Sequence, residues 1–222
     1  MGQYYNPQVV LDNLIYNLDF ANTRSYPGSG ITFNSISPIP SVGGTTINNP
    51  TFLSSNSGCM SFNGTDQYAF SNFSSSFSDA RTIEIWVYLN STTGTPQIFS
   101  SDKMQIYFQT ANVFVTADTL SGAVFLESTT TINTGQWYQF VFTKTSTIDA
   151  QIYINGVADV SSGGFDTISG GDGNFYFMVS GVGGQGADHV NGKLSIFRYY
   201  SRAFSAKEVL KNYLANKGRF GL

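Results

Sequence analysis

A chain of 222 residues with 41% hydrophobic and 15% aromatic residues, including 19 Phe and 13 Tyr, has the material for one large β-sandwich core and excludes disorder. Charged residues make up only 11%, and a net charge of −3 argues against a nucleic-acid partner held by phosphate neutralisation. No run approaches the ~18 apolar residues of a membrane-spanning helix, and the start M-G-Q-Y-Y-N-P lacks the basic and apolar regions of a secretion signal.

In chain order, alternation from Leu14 to Phe20 predicts a first strand with Leu14, Tyr16, Leu18 and Phe20 on one face. S-Y-P-G-S-G from Ser25 to Gly30 reads as a turn, because Pro27 presets its own φ and Gly28 accepts positive φ. Residues 34–58, rich in Ser, Asn, Pro and Gly, read as an irregular surface excursion within one domain. Cys59 is the single cysteine and reads as a buried small residue. Short alternating runs follow at 60–62, 68–70, 82–89, 97–99, 104–108, 113–115, 123–126, 137–143, 151–154 and 175–179. Many short strands with frequent turns indicate a sandwich or barrel. Asn155-Gly156 is the strongest hairpin signal, since a type I′ turn needs two residues at positive φ.

The final segment predicts a strand in which Leu194, Ile196, Arg198 and Tyr200 share one face, then a turn and a helix over 204–217. Ser205 and Glu208 have capping-box spacing, Phe204 and Val209 could form a hydrophobic staple, and Gly218 stands where a left-handed residue would end the helix. Residues 193–222 hold seven basic side chains against Glu208 alone, 7 − 1 = +6, while the rest holds 4 basic and 13 acidic residues, 4 − 13 = −9. Either this segment lies over the acidic body of its own chain, or Arg202, Lys207, Lys211, Lys217 and Arg219 form a docking surface for an acidic neighbour.

Together S-Y-P-G-S-G (25–30), F-N-G-T-D-Q-Y (62–68), T-I-E-I-W-V-Y (82–88), W-Y-Q-F-V-F-T (137–143), Q-I-Y-I-N-G-V (151–157) and N-G-K-L-S-I-F-R-Y-Y-S-R-A-F-S-A-K-E-V (191–209) resemble the laminin-G-like branch of the concanavalin A-like lectin and glucanase superfamily. The resemblance implies an all-β jelly-roll sandwich of two antiparallel sheets with one short C-terminal helix. It also implies a single domain over 1–222 with an N-terminal arm at 1–12. The opening Y-Y-N-P-Q-V-V-L-D-N-L-I-Y-N-L-D-F and the ending R-F-G-L are similar to stand-alone members of this family carried by tailed bacteriophages as virion components.

Hydrolases of this superfamily carry E-x-D-x-E on one strand, where the two-residue period aims all three acids into a cleft. Here the comparable strand reads Glu84-Ile85-Trp86-Val87-Tyr88, so Glu84 alone remains and is expected to be a solvated or hydrogen-bonded strand residue. His189 is the single histidine, which rules out a multi-histidine metal site, and it reads as a loop residue. Gly181 to Gly186 match G-x-G-x-x-G, but a strand rather than a helix follows, so a rim loop is expected instead of a phosphate cradle. Relatives hold calcium with rim-loop oxygens, for which Asp66, Asp166, Asp172, Asp188 and Asn191 are the candidates. Amides at Asn63 and Gln67, where relatives carry acids, weaken such a site, and no cofactor is expected. Trp86, Tyr88, Tyr107, Trp137 and Tyr153 could stack on sugars or fill the core.

The expectation is a non-catalytic structural protein of a bacteriophage virion, a capsid decoration or cement protein ahead of a tail or fibre component. Its expected partners are other virion proteins and further copies in a homo-oligomer, with neither nucleic acid nor membrane. The alternative is a carbohydrate-binding adhesion module whose partner is a surface glycan.

Overall fold

A computed structural model describes residues 8–38, 42–75, 80–101, 104–109, 113–118, 125–145, 149–162, 172–181 and 188–222. Among the described residues sixteen strands form two antiparallel sheets. The first sheet runs β14 (Val157–Ser162), β13 (Ala150–Ile154), β12 (Trp137–Lys144), β7 (Arg81–Leu89), β16 (Asn191–Tyr200), β5 (Cys59–Asn63) and β4 (Thr51–Leu53), with β1 (Leu14–Asp19) also paired to β16. The second runs β11 (Phe125–Glu127), β10 (Val113–Asp118), β9 (Met104–Gln109), β8 (Gln97–Ser100), β15 (Asp172–Phe177), β6 (Tyr68–Ser75), β3 (Gly44–Ile47) and β2 (Thr32–Phe33). This is the concanavalin A-like sandwich expected from the motifs.

Inward residues of both sheets meet in one aromatic-rich core. Tyr16, Phe99, Phe175, Phe177, Phe197 and Tyr199 pack there at centroid separations such as 4.8 Å for Phe99–Phe197 and 5.5 Å for Phe175–Tyr199. Their edge and offset geometries suit the ring quadrupoles, and the area they remove from water is the main source of the sandwich's stability.

Three expectations about the strands need correction. On β1 the register shifts between Leu14 and Tyr16, so Leu14 joins the cluster with Tyr200, Phe204 and Val209 while Tyr16, Leu18 and Phe20 lie in the main core. Residues 34–58 include β3 and β4, which pair at the margins of opposite sheets, β3 with β6 and β4 with β5. The neighbouring strands supply their hydrogen bonds, and strands this short show too few alternations to stand out from turn-rich surroundings. The four residues assigned to one face of β16 do not share it. The register shifts between Leu194 and Ile196, so Ser195 is a bulge residue, and Leu194 joins Phe197 and Tyr199 in the core. Ile196, Arg198 and Tyr200 face outward. A bulge inserts one residue and re-aims the side chains beyond it.

The predicted hairpin is present, with Asn155 and Gly156 at φ 50° and 79° between β13 and β14. The helix α1 spans Ala206–Asn216 and opens with the expected capping box, the Ser205 N–H donating to Glu208 Oε2 at 2.9 Å. Phe204 and Val209 are buried in one cluster with Val10, Leu14 and Tyr200, as a staple requires. Gly218 does not end the helix. The chain continues as a 3-10 turn over Lys217–Phe220, and the left-handed residue is Gly221 at φ 74°. That added turn carries Phe220 onto the two indoles of the sheet, with centroids 4.3 Å from Trp86 and 4.7 Å from Trp137.

Candidate functional site

The helix and its 3-10 extension cover the outer face of the first sheet, and Glu84 lies beneath them. On β7 it pairs across strands with Val141 of β12 and Arg198 of β16. Its Oε1 accepts from Trp86 Nε1 at 3.0 Å, Gln139 Nε2 at 3.0 Å and Arg198 Nη1 at 3.2 Å, and its Oε2 accepts from Asn212 Nδ2 at 2.7 Å. Glu84 is 1% exposed. It is therefore hydrogen-bonded, as anticipated, but not solvated. A glycosidic oxygen has no path to a carboxylate enclosed in this way, and a general acid must touch the atom it protonates. Burial pushes the Tyr200 hydroxyl well above its ordinary range, and Glu84 adds to the shift. That hydroxyl donates to Val10 O and accepts from Asn212 Nδ2.

The basic residues of the terminal segment take different roles. Arg198 forms a buried ion pair with Glu84. Arg202 bridges Asp12 through Nε at 2.9 Å and Glu208 through Nη2 at 2.6 Å. The Arg202 guanidinium holds the Glu208 carboxyl down at about 2. Arg219 is a five-contact staple: Nε to Asn56 O at 2.7 Å, Nη1 to Asp19 Oδ1 and Oδ2 at 2.9 and 3.1 Å, and Nη2 to Gly58 O at 2.9 Å and Ser195 Oγ at 2.6 Å. Arg202 and Arg219, two of the five docking candidates, are thus engaged inside the molecule, as in the reading that lays the segment over its own acidic body. Lys217 is half-buried with its Nζ 5.8 Å from the Tyr213 ring centroid.

Lys207 and Lys211 remain exposed on the outward side of α1. Between and beside them stand Leu210, 43% exposed, and Leu214, 40% exposed. Val157, 67% exposed, begins β14 of the hairpin whose Gly156 lies against Tyr213 of α1. The leucines were absent from the candidates drawn from charge, although their spacing from the lysines in K-E-V-L-K-N-Y-L already places all four on one helix stripe.

A second feature opens at the rim of the sandwich. The Asn63-Gly64 turn, the Ser91–Pro96 loop and residues 188–191 enclose a cleft of about 240 Å³, lined by Asn63, Gly64, Ser91, Thr93, Pro96, His189 and Asn191. Gly64 is at φ 75°, and a Cβ there would come within 2.7 Å of Asn191 Cβ, so glycine permits the close approach that shapes the cleft. The proposed calcium oxygens do not converge. Asp66 Oδ1 accepts from Asn63 Nδ2, Asp188 Oδ1 from Thr95 Oγ1, and Asn191 Oδ1 from Asn90 Nδ2. Asp166, the Asp172 side chain and residues 182–187 of the glycine-rich motif lie outside the described residues. Among the described residues no group of three His, Cys, Asp or Glu side chains could hold a metal ion. His189 is half-buried, as a loop residue leaning on Tyr68 with ring centroids 6.1 Å apart.

The aromatic candidates for sugar stacking are mostly covered. Trp86 lies under Tyr213 and Phe220, while Trp137 and Tyr153 are 5% and 7% exposed. Tyr88 is half-buried and carries the Lys193 ammonium 4.3 Å above its ring, which leaves Tyr107 half-exposed on β9.

The fold agrees with the comparisons. A family model described as the concanavalin A-like lectin/glucanases superfamily (Laminin_G_3) matches residues 62–210, and the chain belongs to this family. No curated protein matches in sequence. Among solved structures, the chain is similar to domain 4 of an extracellular arabinanase from Geobacillus stearothermophilus, determined in complex with arabinotriose. The TM-score is 0.71 at 17% identity, over 93% of this chain and 100% of that one. It is similar to the binding domain of botulinum neurotoxin serotype D, with a TM-score of 0.71 at 12% identity, over 92% of this chain and 52% of that one. It also resembles Trypanosoma rangeli sialidase, with a TM-score of 0.64 at 13% identity, over 93% of this chain and only 33% of that one. At such identities the likeness defines the fold.

Proposed function

We propose that this chain is a non-catalytic structural protein of a bacteriophage particle, displayed on the capsid as a decoration protein, with the outward face of α1 as its docking surface. The observation that carries the non-catalytic part is Glu84, the sole remnant of the hydrolase acid triplet, sealed beneath the helix by four donors. The particle assignment rests on the resemblance of the chain's opening and ending segments to phage virion components. The docking assignment rests on Lys207, Leu210, Lys211 and Leu214, which combine exposed apolar area with two cations that have no acidic partner among the described residues. Many copies on a lattice need only modest contacts each, because linked contacts reinforce one another. Mass spectrometry and cryo-electron microscopy of purified particles should find the chain on the capsid. Lys207→Glu with Lys211→Glu should leave thermal stability unchanged and strip the chain from the particle. Absence of the wild-type chain from purified particles would refute the assignment.

A second reading, a glycan-binding module, is favoured by the rim cleft, whose lining carries hydroxyls, amides and one imidazole beside Pro96 and Gly64. The arabinotriose complex of the arabinanase domain adds support through shared fold alone. Binding to a glycan array is the expected outcome for this reading, and a blank array at high protein concentration would remove it.

A further inference from the structure

We infer that Asn63 is a self-modifying residue, whose side-chain amide becomes a carboxylate through a cyclic imide with Gly64 while Asp66 handles the proton. Three Asn-Gly pairs occur in the chain, Asn63-Gly64, Asn155-Gly156 and Asn191-Gly192. Glycine puts no side chain beside its own backbone nitrogen and lets the chain bend freely, so the three pairs share one intrinsic chemistry. The fold separates them. Asn191 and Gly192 lie within β16, where Gly192 is held between Phe62 of β5 and Leu89 of β7. A strand paired on both sides cannot bend its backbone into a five-membered ring. Asn155 and Gly156 form the β13–β14 turn, and there Asn155 Oδ1 accepts from Gln139 N at 2.9 Å while Gly156 is buried against Tyr213. That bond ties the amide to β12.

Asn63 is exposed, and Gly64 stands just past the end of β5. Here the hydrogen bonds favour the reaction. Asn63 Oδ1 accepts from the backbone amides of Thr65 at 2.9 Å, Asp66 at 3.3 Å and Gln67 at 3.4 Å. Negative charge grows on this oxygen when a nucleophile adds to Cγ, and converging backbone amides stabilise it as an oxyanion hole does. Asn63 Nδ2 donates to Asp66 Oδ1 at 2.8 Å, which sets a carboxylate on the nitrogen that must leave. Neither other pair has a carboxylate at its amide nitrogen among the described residues.

In the reaction Gly64 N bonds to Asn63 Cγ as it gives up its proton, and the Cγ–Nδ2 bond breaks. Asp66 accepts that proton and passes it to Nδ2, which departs as ammonia. Water then opens the imide at either carbonyl, leaving aspartate or, with the chain rerouted through the side chain, isoaspartate. Either product replaces the contact with Asp66 by two facing carboxylates and takes the net charge from −3 to −3 − 1 = −4. Like charges this close repel, so the turn opens beside the rim cleft. Isoaspartate also adds a backbone methylene where a Cβ on Gly64 would already stand 2.7 Å from Asn191 Cβ.

The test incubates the full chain at neutral pH, native and in denaturant, and follows each Asn-Gly pair by peptide mapping and mass spectrometry, with isoaspartyl methyltransferase labelling to mark isoaspartate. In denaturant the three pairs should convert at similar rates. In the native chain Asn63 should convert at least about tenfold faster than Asn155 or Asn191. Asp66→Asn can still accept from Asn63 Nδ2 but carries no proton, and it should slow the native reaction at Asn63 by at least about tenfold with the melting temperature unchanged. The variant's rate should rise in proportion to hydroxide, and the wild-type rate less steeply. If Asn155 or Asn191 converts as fast as Asn63 in the native chain, or if Asp66→Asn leaves the rate and its pH profile unchanged, the assignment falls. The comparison of native with denatured wild-type chain needs no variant, so it decides even if Asp66→Asn does not fold.

Discussion

Glu84 and Arg198 face one another across β7 and β16 with exposures of 1% and 4% and form a buried ion pair. Removing one member of a buried pair leaves an unpaired charge, and Glu84→Ala should cost about 3–5 kcal/mol in denaturant unfolding. Glu84→Gln should also destabilise, because every neighbour at the carboxylate is a donor and the new NH2 group can only oppose one of them. Glu208 gives a pH signature. Its carboxyl, held at about 2 first by the Arg202 hydrogen bond, is charged in the fold at pH values where the unfolded chain is already protonated. A depressed carboxylate stabilises above its ordinary pKa of 4.5 and loses that contribution as pH falls towards 2. Glu208→Gln should therefore lower the melting temperature at pH 7, by an amount set by the lost cap of about 1 kcal/mol. The gap to wild type should close as pH drops from 4.5 to 2. The residue type of Glu84 was readable in the sequence but its environment was not, because its Asn212 partner lies 128 residues away on another element.

At the scale of elements, the helix acts as a lid on the outer sheet face. The chain has two tryptophans, and both lie under it or its 3-10 extension, Trp86 stacked against Tyr213 and Phe220 and Trp137 tilted against Phe220. Phe220→Ala should therefore red-shift the intrinsic tryptophan emission and lower stability by about 3 kcal/mol, the scale of a truncated buried aromatic. Gly156→Ala should destabilise by more than about 1 kcal/mol, since φ is 79° and the new methyl would stand 2.9 Å from the Tyr213 ring. Asn155-Gly156 and Ser205–Glu208 were legible because turn and cap chemistry is local. The bulge at Ser195 was not, because it is set by what β16 pairs with: β5 through Leu194, then β1 from Ile196 onward. The same reasoning explains Gly218 and Gly221. Composition offers two glycines near the helix end, and only the reach of Phe220 to the indoles decides between them.

For the whole molecule, the contrast of +6 against −9 resolves into internal pairs and a remainder. Arg198, Arg202 and Arg219 neutralise Glu84, Asp12 and Asp19 of the body, which accounts for three of the segment's seven basic residues. Lys207 and Lys211 stay outside these pairs. Exposed cations are screened by salt far more than buried pairs, so raising salt roughly tenfold, from about 0.05 to about 0.5 M, shortens the screening length about threefold and, on the docking proposed above, should release the chain from a capsid before it alters its melting temperature. The sandwich and its closing helix were legible as an ordered set of motifs. The rim cleft was not, since it is assembled from three segments whose separation in sequence carries no signal.

The hydrogen bonds at Asn212 join the two ends of the described chain: Val10 N donates to its Oδ1 at 2.8 Å, and Tyr200 Oη donates to Val10 O at 3.1 Å. The Val10 amide is therefore a built-in clock for an event at the opposite end of the sequence. Its hydrogen exchange can proceed only when the Asn212 contact opens, so its protection should rise and fall with that of the α1 amides. Slow exchange at Val10 while α1 exchanges freely would mean that the arm holds to the sheet without the helix.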